Sequence, residues 1–225
     1  MYLETLEAYC QQVSPRLLSW KQTYAWGVGE KGGLAAALER RDGLERLVQQ
    51  DLASFGCVSK RVFDEIMVWG FGKPSKCSEA DIRENSRKAF EFLDRGYLAE
   101  AATAITQLTG VGIARGSKIL ALSNQRDFAI YDSHAAHGLS DLRFSGRPLV
   151  PIPPGFAVPG DTAYSKADFC REFPKYTWII RYLRDRARVD PALRPHFRRA
   201  ADIEIAFFCR SRLILADRES LSAQV

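Results

Sequence analysis

The sequence has few cysteines, few histidines and no long apolar run. Its five cysteines stand singly, so no pair has the spacing of metal ligands: Cys10, Cys57, Cys77, Cys170 and Cys209. That pattern predicts thiols in a reducing compartment rather than disulfides or a metal cluster. The apolar runs fall far short of a membrane span, and the first residues carry no basic leader. We therefore expect a cytoplasmic protein with no membrane partner, no metal and no other cofactor.

The composition that remains is that of an ordinary globular protein, with 225 residues of which 46% are hydrophobic and 26% charged. Apolar residues recur at helical spacing along nearly the whole chain, which predicts an all-α fold. We expect an N-terminal helical segment (1–55) packed on a core, a main domain (56–217) and a polar tail (218–225) that frays. A long loop rich in proline and glycine is predicted over 140–165.

Positive charge is concentrated near the end of the chain. The formal net charge is +5, and residues 181–200 hold seven arginines against two aspartates. Arg181, Arg184 and Arg188 recur at helical spacing, which predicts one basic stripe. Arginine suits phosphate groups, so nucleic acid is the leading candidate partner, and a solvated helix face is the alternative.

Two glycines interrupt the helical pattern between apolar segments on either side. Gly110 and Gly112 bracket Val111, so the backbone can turn tightly there and expose amides at the start of the next helix. Such amides, together with the helix dipole, form a site for a phosphate. Twenty residues after Gly112, Asp132 follows a short apolar segment and stands at the head of another predicted helix. Taken alone, Asp132 could equally be a helix cap.

The run from Leu108 to His134 resembles the helix-hairpin-helix motif of the DNA glycosylase superfamily. The resemblance implies a catalytic carboxylate at Asp132, beside the sugar of a base flipped out of the stack. It also implies contacts with the DNA backbone from a hairpin, from a nearby basic side chain and from a histidine two residues after the aspartate: Gly110, Val111, Gly112, Arg115 and His134.

A more diffuse similarity over 60–215 points to the 8-oxoguanine glycosylase-like subgroup. It includes the helix at 62–70, the proline-rich stretch at 149–155 and the helix at 176–188. This subgroup includes compact bacterial proteins, some of them encoded beside anti-phage defence genes.

The sequence also departs from the family pattern. Thr109 replaces the usual proline of the hairpin, and Ala114 occupies the position of the lysine that forms a Schiff base in bifunctional members. Lys118, one helical turn further on, could act as a displaced nucleophile, although a solvated or phosphate-facing lysine is the simpler expectation. The cysteines cannot supply the iron–sulfur cluster that several members carry. We therefore expect an enzyme without lyase activity, if it is an enzyme.

Aromatic and histidine residues offer weaker candidates. Trp26 and Trp69 could stack on a base, although tryptophans on helices usually belong to the core. The glycine string that begins at Gly27 lacks the strand and βαβ unit of a dinucleotide site, so we interpret it as a turn. His134 and His137 lie near Asp132 in sequence, but the apolar residues around them favour packing over a metal site.

These observations predict a nucleobase-recognising DNA glycosylase-like protein. Its predicted reaction is cleavage of the N-glycosidic bond of a modified purine, 8-oxoguanine-like or deazaguanine-like, in nucleic acid, with DNA the expected form. The alternative is a catalytically degenerate glycosylase fold that recognises a modified base, on nucleic acid or on another carrier, within an anti-phage defence system.

Overall fold

The computed structural model describes residues 2–27, 32–153 and 164–222. Its described part is mostly helical, as the apolar spacing predicts, with one two-stranded sheet. The helices are α1 (Tyr2–Gln22), α2 (Gly33–Phe55), α3 (Lys60–Phe71), α4 (Glu79–Asp94), α5 (Leu98–Thr106), α6 (Ile113–Ala121), α7 (Ser133–Gly138), α8 (Lys166–Ala187) and α9 (Ala200–Ser222). The strands are β1 (Arg143–Phe144) and β2 (Arg147–Pro148), paired antiparallel.

Three helices are longer than the sequence predicts. A proline is expected to end a helix because it lacks an amide donor, yet Pro15 lies inside α1 and Pro174 inside α8. Gly43, expected to separate two helices, lies within the single helix α2. In each case the flanking turns bury apolar side chains, so tertiary packing outweighs local propensity.

The end of the chain also differs from the prediction. The sequence pattern predicts a final helix over about 192–215, but residues 188–199 form turns and α9 begins at Ala200. Helix α9 then extends to Ser222, beyond the point where the tail was expected to fray, while residues 223–225 lie outside the described part. The described part of the predicted loop at 140–165 contains the small hairpin of β1 and β2, and residues 154–163 of this loop lie outside the described part.

The first half of helix α9 is deeply buried, and α1, α7 and α8 pack around this helix. Every residue from Ala200 to Cys209 is buried. Helix α7 approaches α9 backbone to backbone, because a Cβ built on Gly138 would lie 2.0 Å from the carbonyl oxygen of Phe207. This close contact fixes the short helix that begins directly after Asp132.

The glycine hairpin is present between α5 and α6. Gly110 has a φ of 73°, in the left-handed region, and the Val111 amide donates to the Leu108 carbonyl at 3.0 Å. Leu108 and Val111 are buried, as predicted. At Gly116 a Cβ would lie 2.8 Å from Cγ2 of Ile105, so the absence of a side chain lets α5 and α6 pack closely.

In the ranges listed above, no helix has the length and apolar character that crossing a membrane would require.

Candidate active site at the hairpin

Asp132 is the N-cap of α7, and its two carboxylate oxygens have different partners. Oδ1 accepts a hydrogen bond from the Ala135 amide at 2.9 Å, which caps the helix as the local sequence predicts. Oδ2 lies 3.2 Å from Nζ of Lys118. The helix start therefore fixes the carboxylate while leaving one oxygen to interact with a charged group.

Lys118 lies on α6 and is buried, with 5% of its side chain exposed against 12% for Asp132. The simpler expectation of a solvated or phosphate-facing lysine is therefore wrong. The alkyl chain crosses Gly70 of α3, where a Cβ would come within 2.8 Å of Cε. Its ammonium lies 5.3 Å from the ring centroid of Phe71 and 5.6 Å from that of Trp69. Apolar and aromatic surroundings strengthen the electrostatic attraction between Lys118 and Asp132.

A second set of contacts holds the segment that carries Asp132. The Ser117 hydroxyl accepts from the Tyr131 amide at 2.9 Å and donates to the Tyr131 carbonyl at 3.3 Å. The Tyr176 hydroxyl donates to the Ile130 carbonyl at 2.6 Å, and its ring stacks on Tyr131 with centroids 4.5 Å apart. These bonds join the extended segment to α6 and α8, so the Lys118–Asp132 distance is set by buried structure rather than by a loop.

The two tryptophans proposed to stack on a base lie beside this pair. Trp69 is buried under the Lys118 ammonium, which leaves little of its ring for an incoming base. Its indole N–H has no acceptor among the residues that the structure describes. Trp26 is half-buried, donates its indole N–H to the Trp69 carbonyl at 3.2 Å and packs edge-on against Phe208. Most of the glycine string that we interpret as a turn, residues 28–31, lies outside the described residues.

A pocket of about 250 Å³ opens beside the hairpin. The residues that line it come from the end of α3, from the loop after α3 and from the hairpin at Thr109–Val111. Three basic residues are among them: Lys73, Lys76 and Arg115. The Arg115 guanidinium donates to the Gly110 carbonyl and lies 4.8 Å from the Phe71 ring centroid. The pocket therefore brings three cationic side chains next to the hairpin that precedes α6.

His134, expected to contact a phosphate backbone, lies in the packing between α7 and α9. Its Nδ1 is 3.3 Å from the Ser211 hydroxyl, and its ring centroid is 4.9 Å from that of Phe208. Burial lowers the pKa of His134, although the nearby Asp132 carboxylate acts in the opposite direction. We therefore expect a neutral imidazole near pH 7. His137 shares the Ser211 hydroxyl at 2.9 Å, and the described residues hold no group of three potential metal ligands.

The prediction of one basic stripe made of Arg181, Arg184 and Arg188 is wrong for Arg184. Arg184 is buried, and its guanidinium donates to the Arg126 carbonyl at 2.5 Å and pairs with Asp185 at 2.8 Å. Arg181 and Arg188 are exposed. Helical spacing correctly places Arg181 and Arg184 on α8, with Arg188 as its C-cap, but it does not show that the side with Arg184 faces a neighbouring segment.

Comparisons with protein-family models, with curated proteins and with solved structures found no match to this chain. The resemblance to the glycosylase superfamily therefore stays a prediction that rests on the hairpin-to-aspartate run. Sequence reasoning missed Phe71, Lys73 and Lys76, which the structure places at the hairpin. The only signal for them is the break after α3, where a glycine and a proline flank Lys73.

Proposed function

We propose that the protein cleaves the N-glycosidic bond of a modified purine in nucleic acid, with Asp132 and Lys118 at the reacting atoms. The observation that carries this proposal is the buried contact of 3.2 Å between the Lys118 ammonium and the Asp132 carboxylate. Lys118 lies on α6, the helix that follows the glycine hairpin. Three features support it: the fixed Asp132 carboxylate, the fixed Lys118 ammonium, and the cationic pocket at the hairpin. Arg115, which lines that pocket, precedes Lys118 by about one turn of α6.

Hydrolysis of this bond separates charge, and the pair offers both signs. The bond between C1′ and the base nitrogen breaks, and its electron pair leaves with the base. Positive charge develops on the sugar, which the Asp132 carboxylate would stabilise, and negative charge develops on the base, which the Lys118 ammonium would stabilise. Water then adds to C1′, and one of its protons ends on the released base.

The same contact argues against strand cleavage. Attack of Lys118 on C1′ would need an amine free to approach the sugar, whereas its Nζ is held 3.2 Å from Oδ2 of Asp132. Ala114 occupies the position of the lysine nucleophile in the bifunctional relatives that the motif resembles. We therefore infer release of the base and an abasic site that is left uncut.

The hairpin pocket would hold the nucleic-acid backbone. Lys73, Lys76 and Arg115 lie around the hairpin amides, and phosphate groups are stabilised by both. DNA is the form of nucleic acid that we propose, because the hairpin resembles that of DNA glycosylases.

A second candidate function follows from the charge of the pair. The Lys118 ammonium offsets the field that Asp132 would exert on a sugar cation, which disfavours catalysis if the pair stays closed. The fold would then recognise a modified base without cleaving it, as a module of an anti-phage defence system.

Base release from oligonucleotides that contain modified purines tests the proposal. We expect release by the wild type, and a loss of at least about a hundredfold in both Asp132→Asn and Lys118→Met, since each variant removes one charge that acts on the transition state. Asp94→Asn changes an exposed carboxylate at the end of α4 and serves as the control. Borohydride should trap no covalent complex.

The outcomes separate the alternatives. Equal release by wild type and Asp132→Asn would remove Asp132 from the mechanism. A trapped adduct that Lys118→Met abolishes would establish lyase chemistry and contradict the absence of strand cleavage. Binding of a modified base without release from any substrate would favour the recognition module.

A further inference from the structure

A second cationic pocket, which we call the arginine pocket, lies at the other end of α6 from the hairpin. Its volume is about 470 Å³, and its lining residues are Arg126, Arg188, Arg194, Pro195, Arg198 and Arg199. Five guanidinium groups thus line one concavity with a single proline. The size falls in the range of small-molecule pockets, but apart from Pro195 every lining residue is an arginine and none is aromatic.

Nearby carboxylates do not neutralise this charge. Asp42 and Asp202 pair with Arg199, at 2.6 Å and 3.5 Å. Asp127 and Asp185 instead pair with the buried Arg184. In contrast, the side chains of three lining residues have neither a hydrogen bond nor an ion pair within the described ranges: Arg126, Arg188 and Arg198.

The walls of the pocket are held firmly. The amides of Ala200 and Ala201, at the start of α9, donate to the carbonyls of Arg126 and Gln125 at 2.9 Å and 3.2 Å. Arg194 donates from Nε to the Arg188 carbonyl at 3.0 Å, which joins the turn at 190–199 to the end of α8. The backbone therefore keeps like charges together, an arrangement that an anion would stabilise.

The location separates this pocket from the hairpin. Helix α6 begins at the hairpin with Ile113 and ends at Ala121, which corresponds to about 13 Å of helix, and Arg126 lies beyond that end. The amides at the start of α9 are already satisfied by backbone carbonyls and by Asp202. An anion in the arginine pocket would therefore be bound by side chains, several at once.

We propose that the arginine pocket binds a compact ligand with several linked phosphate groups, such as the polyphosphate of a nucleoside triphosphate. Several guanidinium groups around one concavity match closely spaced phosphates, each of which can accept paired N–H donors. A nucleic-acid backbone would need cations spread along a track, with its phosphates several ångströms apart on an extended strand. No aromatic residue lines the pocket, so the proposal concerns recognition of the phosphates. This site does not depend on the proposed base cleavage.

Titration calorimetry with inorganic tripolyphosphate tests the proposal on the full chain. We expect saturable 1:1 binding to the wild type and at least about a tenfold loss of affinity in Arg126→Ala/Arg198→Ala. The control is Arg16→Ala/Arg95→Ala, which removes the same charge from two exposed positions outside the pocket and should change affinity by less than about twofold. Both doubles substitute exposed residues, and matching melting temperatures would verify that both are folded.

Duplex DNA binding, measured on the same three proteins, supplies the decisive comparison. We expect the pocket double and the control double to bind duplex equally, because each loses two charges and neither loses a hairpin residue. The proposal is overturned if tripolyphosphate fails to saturate the wild type or binds both doubles alike. A tenfold loss of duplex affinity confined to the pocket double would instead assign the arginine pocket to the nucleic-acid surface and contradict a separate polyphosphate site.

Discussion

Asp132 has a structural role and a proposed chemical role, and each role uses a different oxygen of the carboxylate. The cap uses Oδ1 and the ion pair uses Oδ2. An asparagine at this position keeps a carbonyl oxygen and caps helices as well as aspartate does. An alanine loses the cap and leaves the Lys118 ammonium buried without its partner. The two substitutions therefore affect folding and chemistry to different extents.

We predict that Lys118→Met lowers the free energy of unfolding by about 3 kcal/mol. This value is the lower end of the range for removing one partner of a buried ion pair, because the Asp132 side chain that remains is 12% exposed. Asp132→Asn keeps the cap, because its one oxygen can still accept from the Ala135 amide, but its NH2 group replaces the oxygen that pairs with Lys118. The ammonium then lacks an anionic partner, so we expect a loss of similar size. Urea unfolding checks both values. A loss below about 0.5 kcal/mol for Lys118→Met would show that the pair is solvated in solution.

The sequence predicts Asp132 as a cap but not the partner of its second oxygen. Capping is a local property, read from the helix that follows. The contact with Lys118 depends on the extended segment that turns back along α6 and on the hydroxyls of Ser117 and Tyr176 that hold it there. The charge of Lys118 is visible in the sequence, whereas its burial is decided by Gly70, far away in the chain.

At the scale of elements, glycine has opposite consequences in two helices. Gly116 of α6 lies against α5, where a Cβ would meet Ile105 and Thr106 side chains at 2.8 Å and 3.0 Å. Gly43 of α2 has room, with the nearest atom 3.8 Å from a built Cβ. The sequence shows a glycine in both helices. Only the packing distinguishes a close helix contact from a position that merely weakens a helix.

Gly116→Ala should therefore destabilise the protein by about 1–3 kcal/mol, because α5 and α6 must separate to admit the methyl group. Gly43→Ala is the matched control and should raise stability by about 0.5–1 kcal/mol, through helix propensity alone. Thermal and urea unfolding of the two variants test the opposite signs. A stabilising Gly116→Ala would contradict the close approach of the hairpin helices, on which the geometry of the candidate site depends.

At the scale of the whole molecule, residues distant in sequence come together in ways that local patterns do not specify. The hairpin is predicted because all its signals lie within a few residues. The arginine pocket is not, since its members come from the turn after α6, the end of α8 and the turn before α9. The concentration of arginines in 181–200 is evident in the sequence, but their separation into buried, exposed and pocket-lining groups is a product of tertiary packing.

A buried ion pair joins the first part of the chain to the last. Arg41 of α2 pairs with Glu204 of α9, both almost fully buried, and its Nε donates to Gln125 at 2.6 Å. Burial alone would lower the pKa of Arg41, but Glu204 more than compensates and raises it, so the guanidinium stays charged. Removing either partner leaves an uncompensated charge in the core. Removing both leaves none.

We expect Arg41→Met and Glu204→Leu each to lower the free energy of unfolding by about 3–5 kcal/mol, and the double variant to lose much less than the sum of the two. A double-mutant cycle by urea unfolding measures the coupling, and the slope of the transition shows whether the chain still unfolds as one unit. Additive losses would mean that the two charges are independently solvated. In that case α2 would be held to the rest by its apolar packing and by its other polar contacts, such as the Asp42–Arg199 pair.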